Sequence, residues 1–283
     1  MAIELENEDL VAAYKLMKLA LEMRPKGALI RRKIDEYEKK LAILKKINES
    51  VTSGEIAIVP VGFRCFTKPK IRKLLGISQE SLPFDYGFFS PSSVASLLLN
   101  PRVELSFPDH EQKTHAVCIK DNDHVDTDLG NGIKFISTDY DKIEEYISAA
   151  SSKEEINKYL DSTYGYYTLD KTHGYVLAHY NWHPLSDAKK SKGITDPKIN
   201  IPKINDIMNR RLQRLFDKCN RARKVFFIYD RPKRHRHITI DNEVYDLDDL
   251  EPIQDALKFL FSKKAKLLLI NELRSPEKML ENA

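Results

Sequence analysis

An α/β fold, with a largely parallel central sheet flanked by helices and a helical hairpin at its N-terminus, is predicted by three features of this 283-residue sequence. Continuous apolar runs of strand length recur as IAIVPVG (56–62), KVFFIYD (224–230) and AKLLLIN (265–271), the pattern of strands buried on both faces. A helix-period segment over 249–262 separates the last two, so strand, helix and strand form a parallel crossover. Residues 8–48 place Leu10, Tyr14, Met17 and Leu21, then Ile30, Ile34, Tyr37, Leu41 and Leu44 at helical spacing on either side of Arg24-Pro25-Lys26-Gly27.

Taken in order, residues 1–50 read as the hairpin appendage, 51–275 as an α/β catalytic domain and 276–283 as a flexible tail. The second arm of the hairpin, IRRKIDEYEKKLAILKK, is heavily charged and leaves a narrow apolar stripe, which suits either a solvated packing appendage or docking on a protein partner. After Gly54 the first buried strand ends at Gly62, and a helix begins at Thr67 or at the neighbouring Lys68-Pro69, where proline fits the first turn. THAVCIK and GIKFIST read as a hairpin around an Asp-rich loop, 141–149 and 152–160 as helices, and GYVLAHY as a strand. HITIDNEVYDL reads as a hairpin turning at Asp241-Asn242.

Apolar residues at 42% and charged residues at 31% place the chain among folded globular proteins. A net charge of +4 is too small to mark a nucleic-acid binder, and base-stacking aromatics do not interleave the basic run DRPKRHRH. That run fits a solvated loop, or a contact with phosphate or a polyanionic glycan. The acidic start MAIELENEDL is unlike a secretory leader, and no apolar run nears the roughly 18 residues of a membrane span, so a cytoplasmic location is expected. Three cysteines at wide spacing, Cys65, Cys118 and Cys219, suit neither a disulfide framework nor a zinc cluster. DNDHVDTDLGNG lacks the glycine and glutamate of a calcium loop, and no dinucleotide, Walker or zincin motif occurs; no metal or cofactor is expected.

Cys65 lies where the first strand gives way to a helix, in VPVGFRCFTKPK. Ligands gather outside the carboxyl ends of parallel strands, helix N-termini carry partial positive charge, and Arg64, Lys68 and Lys70 add more; all three effects favour a thiolate. A lone cysteine in such a fold is also commonly an inert core side chain. YVLAHYNWHPLS offers His183, or His179, as base, with Asn181 or Asp85 to fix the imidazole; His115 and His173 are weaker alternatives. SLPFDYGFFS, with Phe84 and Asp85, suits either a pocket wall or a core-packing loop. Arg210 and Arg214 share one helix face, placed to meet an anion or the Asp85 carboxylate, or simply solvent.

GFRCF, SLPFDYGFF, HYNWHP and RRLQRLF before KVFFIYD together resemble a bacterial and viral family of papain-like cysteine peptidases, over about residues 56–270. The resemblance implies Cys65 as nucleophile and a histidine in the segment His179 to His183 as base, and it maps the PFD segment onto Pro83, Phe84 and Asp85 and the arginine helix onto Arg210, Arg211 and Arg214. Arg64, Phe84, Arg210 and Arg214 are the side chains expected about the substrate. Here Leu215-Phe216 stands where the family often has one aromatic, and two histidines stand where one is expected. ALEMRPKGALIRRKIDEYEKK resembles, more distantly, helices of bacterial surface-polysaccharide biosynthesis proteins. The expected function is therefore cysteine-dependent acyl transfer, by hydrolase or acyltransferase, on a peptide or glycan-precursor substrate with an acyl donor. The alternatives are a glycan-assembly transferase that binds a phosphorylated donor, with Cys65 incidental, and a non-catalytic accessory protein.

Overall fold

A strand made wholly of apolar residues has to be covered on both faces, and β1 (Ile56–Gly62) meets that condition with all seven residues buried. The computed structural model of the chain describes residues 2–6, 9–63, 65–106, 115–121, 132–138, 152, 166–177, 197–232 and 235–280. β1 pairs in parallel with β7 (Lys224–Asp230), and β7 with β10 (Ala265–Leu269), in the order β1-β7-β10. The period of two sorts their side chains. Ala57, Val59, Val61, Val225, Phe227 and Tyr229 face one core cluster, while Ile56, Ile58, Phe226 and Ile228 face another.

The first cluster is closed by α5 (Pro91–Leu99), α6 (Pro197–Arg221) and α7 (Glu251–Phe261), the second by the end of α3 (Ala28–Thr52) and by α4 (Thr67–Leu75). Helices thus flank the parallel sheet on both sides, as the apolar runs require. Two of these helices show their start or stop signal plainly. Ser90 accepts from Ser93 N–H at 3.0 Å to cap α5, and Gly76, at φ 69°, closes α4 in the left-handed conformation that glycine adopts without strain.

The hairpin is formed by α1 (Ala2–Leu5), α2 (Leu10–Met23) and α3, with Ala13, Met17, Ile34 and Tyr37 at its seam. Tyr37 donates to Glu6 at 2.8 Å, and Lys33 pairs with the same carboxylate at 3.0 Å. α3 passes through the boundary expected at residue 50 and ends inside the body, where Ile47 is fully buried beside Ile56 and Ile71. The segment expected as a tail from residue 276 forms a helical turn, Pro276–Met279, with Pro276 and Met279 buried. Met279 joins Ile47 in one cluster, and that apolar contact holds the turn in place.

A second sheet runs β2-β6-β5-β3-β4-β8-β9, from β2 (Gly87–Phe88), β3 (His115–Asp121), β4 (Gly132–Thr138), β5 (Tyr166–Asp170), β6 (Tyr175–Leu177), β8 (His237–Ile240) and β9 (Glu243–Asp246). Its pairs are antiparallel except β4 with β8. The expected β3–β4 and β8–β9 hairpins are present, the latter turning at Asp241 with φ 55°. The helices expected over 141–149 and 152–160, the Asp-rich loop and the end of GYVLAHY lie outside the described residues, Ser152 apart. β10 is the less covered margin of the parallel sheet, partly exposed along its length with Lys266 outward. No helix among the described residues is long and apolar enough to cross a membrane.

Candidate functional site

Gly62 ends β1 with φ 155°, and a Cβ there would come within 2.7 Å of Thr67 Oγ1 and 3.2 Å of the Asp230 carbonyl. Only glycine lets the chain leave the strand this close to both β7 and the start of α4. The turn that follows holds Cys65, half-buried, at the carboxyl end of β1 and two residues before α4. Phe66 occupies the N-cap position without a side-chain cap and is 56% exposed. The first N–H groups of α4 therefore lack a capping oxygen from the preceding residue, next to a partly accessible thiol.

Cys219 shows the contrasting environment. It is 0% exposed within α6, and burial pushes its thiol up to about 12, against the opposing pull of Lys218 and Lys264. Near neutral pH it is a neutral core side chain. The side chain of Cys118, in β3, lies outside the described residues.

Asp85 sits in the helical turn Pro83–Tyr86, its side chain only 3% exposed. Oδ2 accepts from Leu82 N–H at 2.8 Å and from Lys68 Nζ at 3.1 Å. Burial holds the carboxyl above its ordinary value, opposed by the Leu82 N–H, by Lys68 and by Arg211. Because Lys68 belongs to the first turn of α4, this pair ties the wall behind Cys65 to the PFD segment. Phe84 is 2% exposed and meets Phe89 edge-on at 5.4 Å, so it serves the core and does not wall an open pocket.

The arginine helix is α6. Arg214 donates to the Ser81 carbonyl at 2.9 Å and pairs with Glu80 at 3.2 Å, while Arg210 and Arg214 both line a groove with Glu80 and Asp217. The arginine whose charge reaches Asp85 is Arg211, not the Arg210–Arg214 face. Lys218 donates to Gln79 at 2.9 Å, and burial lowers its ammonium. α6 thus clamps the segment 79–85 that carries Asp85.

Arg64, His179, Asn181 and His183 lie outside the described residues. His173, in the turn between β5 and β6, is buried between Ser96 Oγ of α5 and the Arg102 carbonyl, each at 3.0 Å from a ring nitrogen, a structural position. A histidine that the sequence reading passed over approaches the site from β7. The His235 ring packs 5.4 Å from Phe63, two residues before Cys65, and Phe63 in turn meets Phe88 edge-on at 5.6 Å. The signal was the parallel pairing of β1 with β7, which brings the loops after both strands to one end of the sheet. Among the described residues no group of three or more His, Cys, Asp or Glu is arranged to hold a metal ion. No protein-family model, curated protein or solved structure matches the chain.

Proposed function

We propose that the chain is a cysteine-dependent acyl-transfer enzyme with Cys65 as nucleophile, in the manner of the papain-like peptidases its motifs resemble. The observation that carries this reading is the placement of Cys65: partly accessible, at the carboxyl end of a parallel strand and beside the uncapped start of α4. A thiol there has the start of a helix to favour its ionised form and is partly accessible, whereas Cys219 is wholly buried and its neutral form is favoured in spite of Lys218 and Lys264.

The thiolate attacks an acyl carbonyl, forming the S–C bond, and the N–H groups that open α4 are the donors this reading offers the developing oxyanion. The bond to the leaving group breaks as that group takes the proton from the imidazolium of His183 or His179. Water, or a sugar hydroxyl, then attacks the thioester and gives its proton back to the imidazole, and the C–S bond breaks to release the acid or ester and restore the Cys65 thiolate. The likeness of the N-terminal helices to surface-polysaccharide proteins directs the reading to a glycan precursor as acceptor, with a peptide as the hydrolytic alternative.

The test combines labelling and turnover. Iodoacetamide at neutral pH is expected to modify Cys65 at least about a hundredfold faster than Cys219, with sites assigned by mass spectrometry. Cys65→Ser is expected to melt like the parent and to lose nearly all turnover of p-nitrophenyl acetate and of a peptide thioester. Equal labelling rates, or a Cys65→Ser variant that keeps most of the turnover, would make the cysteine architectural.

A further inference from the structure

Arg24-Pro25-Lys26-Gly27 joins α2 to α3 and forms the end of the N-terminal hairpin, where apolar side chains stand out in solvent. Leu21 and Ile30 pack against the seam at this end, but Leu19 is 55% exposed, Met23 85% and Leu29 53%. Leu19 and Met23 are one helical turn apart, and Leu19 lies about 200° around α2 from the buried Met17, so this face points away from α3. Leu29 follows in the first turn of α3. A single exposed leucine is ordinary, whereas three large apolar groups at one end of a hairpin mark an interaction surface.

The charge around them is one-sided. Lys15, Lys18, Arg24, Lys26, Arg31 and Arg32 stand in this stretch of sequence against one carboxylate, Glu22, an excess larger than the +4 of the whole chain. Glu38 and Glu36 of α3 meet Lys18 and Arg32 at 3.6 and 3.8 Å, and Arg31 donates to the Pro25 carbonyl at 2.7 Å. Lys15, Arg24 and Lys26 are exposed and pair with no carboxylate among the described residues. Apolar side chains flanked by such cations fit an anionic lipid surface, where the apolar groups enter the boundary of headgroups and acyl chains and the cations meet lipid phosphates and carboxylates. Nucleic acid would answer the charge alone, since no aromatic ring stands between Lys15 and Arg32 to stack on a base. The end of a two-helix hairpin is also convex, which a deformable lipid surface accommodates and the flat face of a protein partner does not. We infer that the hairpin end docks the protein on the surface of an anionic membrane, with Leu19, Met23 and Leu29 among the headgroups and Lys15, Arg24 and Lys26 on the anionic lipids. The hairpin lies on that surface without spanning it, and the inference holds whether or not Cys65 is a nucleophile.

Flotation of the full chain with lipid vesicles is the direct test. Vesicles of phosphatidylcholine containing about one-third phosphatidylserine should bind it at least about tenfold more strongly than phosphatidylcholine alone, with binding weakened by about 0.5 M sodium chloride. Met23→Ser with Leu29→Ser, and separately Arg24→Gln with Lys26→Gln, should each weaken binding to the anionic vesicles at least about fivefold; all four positions are exposed, and each variant is checked by its melt. Lys45→Gln with Lys46→Gln removes the same charge roughly 25 Å farther along α3, beyond the screening length, and should bind like the parent. No flotation with the anionic vesicles, equal flotation with the neutral ones, or either hairpin-end variant binding like the parent overturns the docking. So does an equal loss in the Lys45 and Lys46 variant, which would reduce the effect to net charge. Sedimentation velocity covers the remaining occupant: a parent that does not float, but is a dimer that Met23→Ser with Leu29→Ser converts to monomer, gives this surface to a second copy of the chain and overturns the assignment.

Discussion

Asp85 places a carboxylate where water hardly reaches, and its protonation should register in the stability of the whole chain. Burial raises its folded-state pKa above the ordinary value, so the folded protein holds that proton more tightly than the unfolded chain does. The stability this contributes is complete below the unfolded value of about 4 and is lost as pH rises through the raised folded value. Asp85→Asn keeps an acceptor for Leu82 and Lys68 but has no proton to lose. Urea unfolding over a pH series should therefore show the parent losing stability relative to Asp85→Asn as pH rises across that window, then a constant difference above it. A difference that does not change with pH, or that grows in the parent's favour, contradicts the assignment. The importance of Asp85 was readable from its setting among aromatic residues, but its partner was not. Lys68 stands seventeen residues away in sequence, and no periodicity joins a helix's first turn to a loop beyond its far end. Phe84 illustrates the opposite difficulty, since an aromatic in a loop reads alike whether it lines a pocket or, as here, fills the core.

At the scale of elements, the β1–α4 turn is set by one residue. Gly62→Ala would force a Cβ against Thr67 Oγ1 and the Asp230 backbone at a φ that side chains rarely adopt. The expected loss is about 1–3 kcal/mol in urea unfolding, together with a changed rate of Cys65 alkylation, because Cys65 leaves the strand through this residue. Unaltered stability and labelling would mean that the turn relaxes without consequence. The strands β1 and β7 were legible because burial on both faces leaves an unbroken apolar run, β10 from its run of leucines, and the α7 crossover from its helical period. β6 was legible within GYVLAHY, whereas β2 was not separable as a strand, since two residues are too few to display a period of two. His235 escaped notice for a related reason. Sequence shows that β1 and β7 exist, but their adjacency, which brings His235 to Phe63, is a fact of strand order.

Across the whole molecule, distant parts of the chain meet at the second core cluster. α3 delivers Ile47 from the hairpin, the turn Pro276–Met279 delivers Met279, and Lys224 Nζ donates to the Met279 and Leu280 carbonyls at 3.4 and 3.3 Å. Met279→Ala should therefore destabilise the protein by about 2–5 kcal/mol, a core cost, where a frayed tail would give almost none; chemical denaturation distinguishes the two. SPEKML contains no repeating apolar period, so its burial depends on a surface that α3 and α4 create only once folded. The sheet these helices cover still has one margin facing outward. Along β10 the sequence AKLLLI would be a strongly self-adhesive strand without its second residue, and Lys266 puts a charge there, exposed, amid partly covered leucines. A second molecule offering a strand to that margin would have to desolvate the ammonium, so this single lysine guards the protein against stacking edge to edge into aggregates at high concentration.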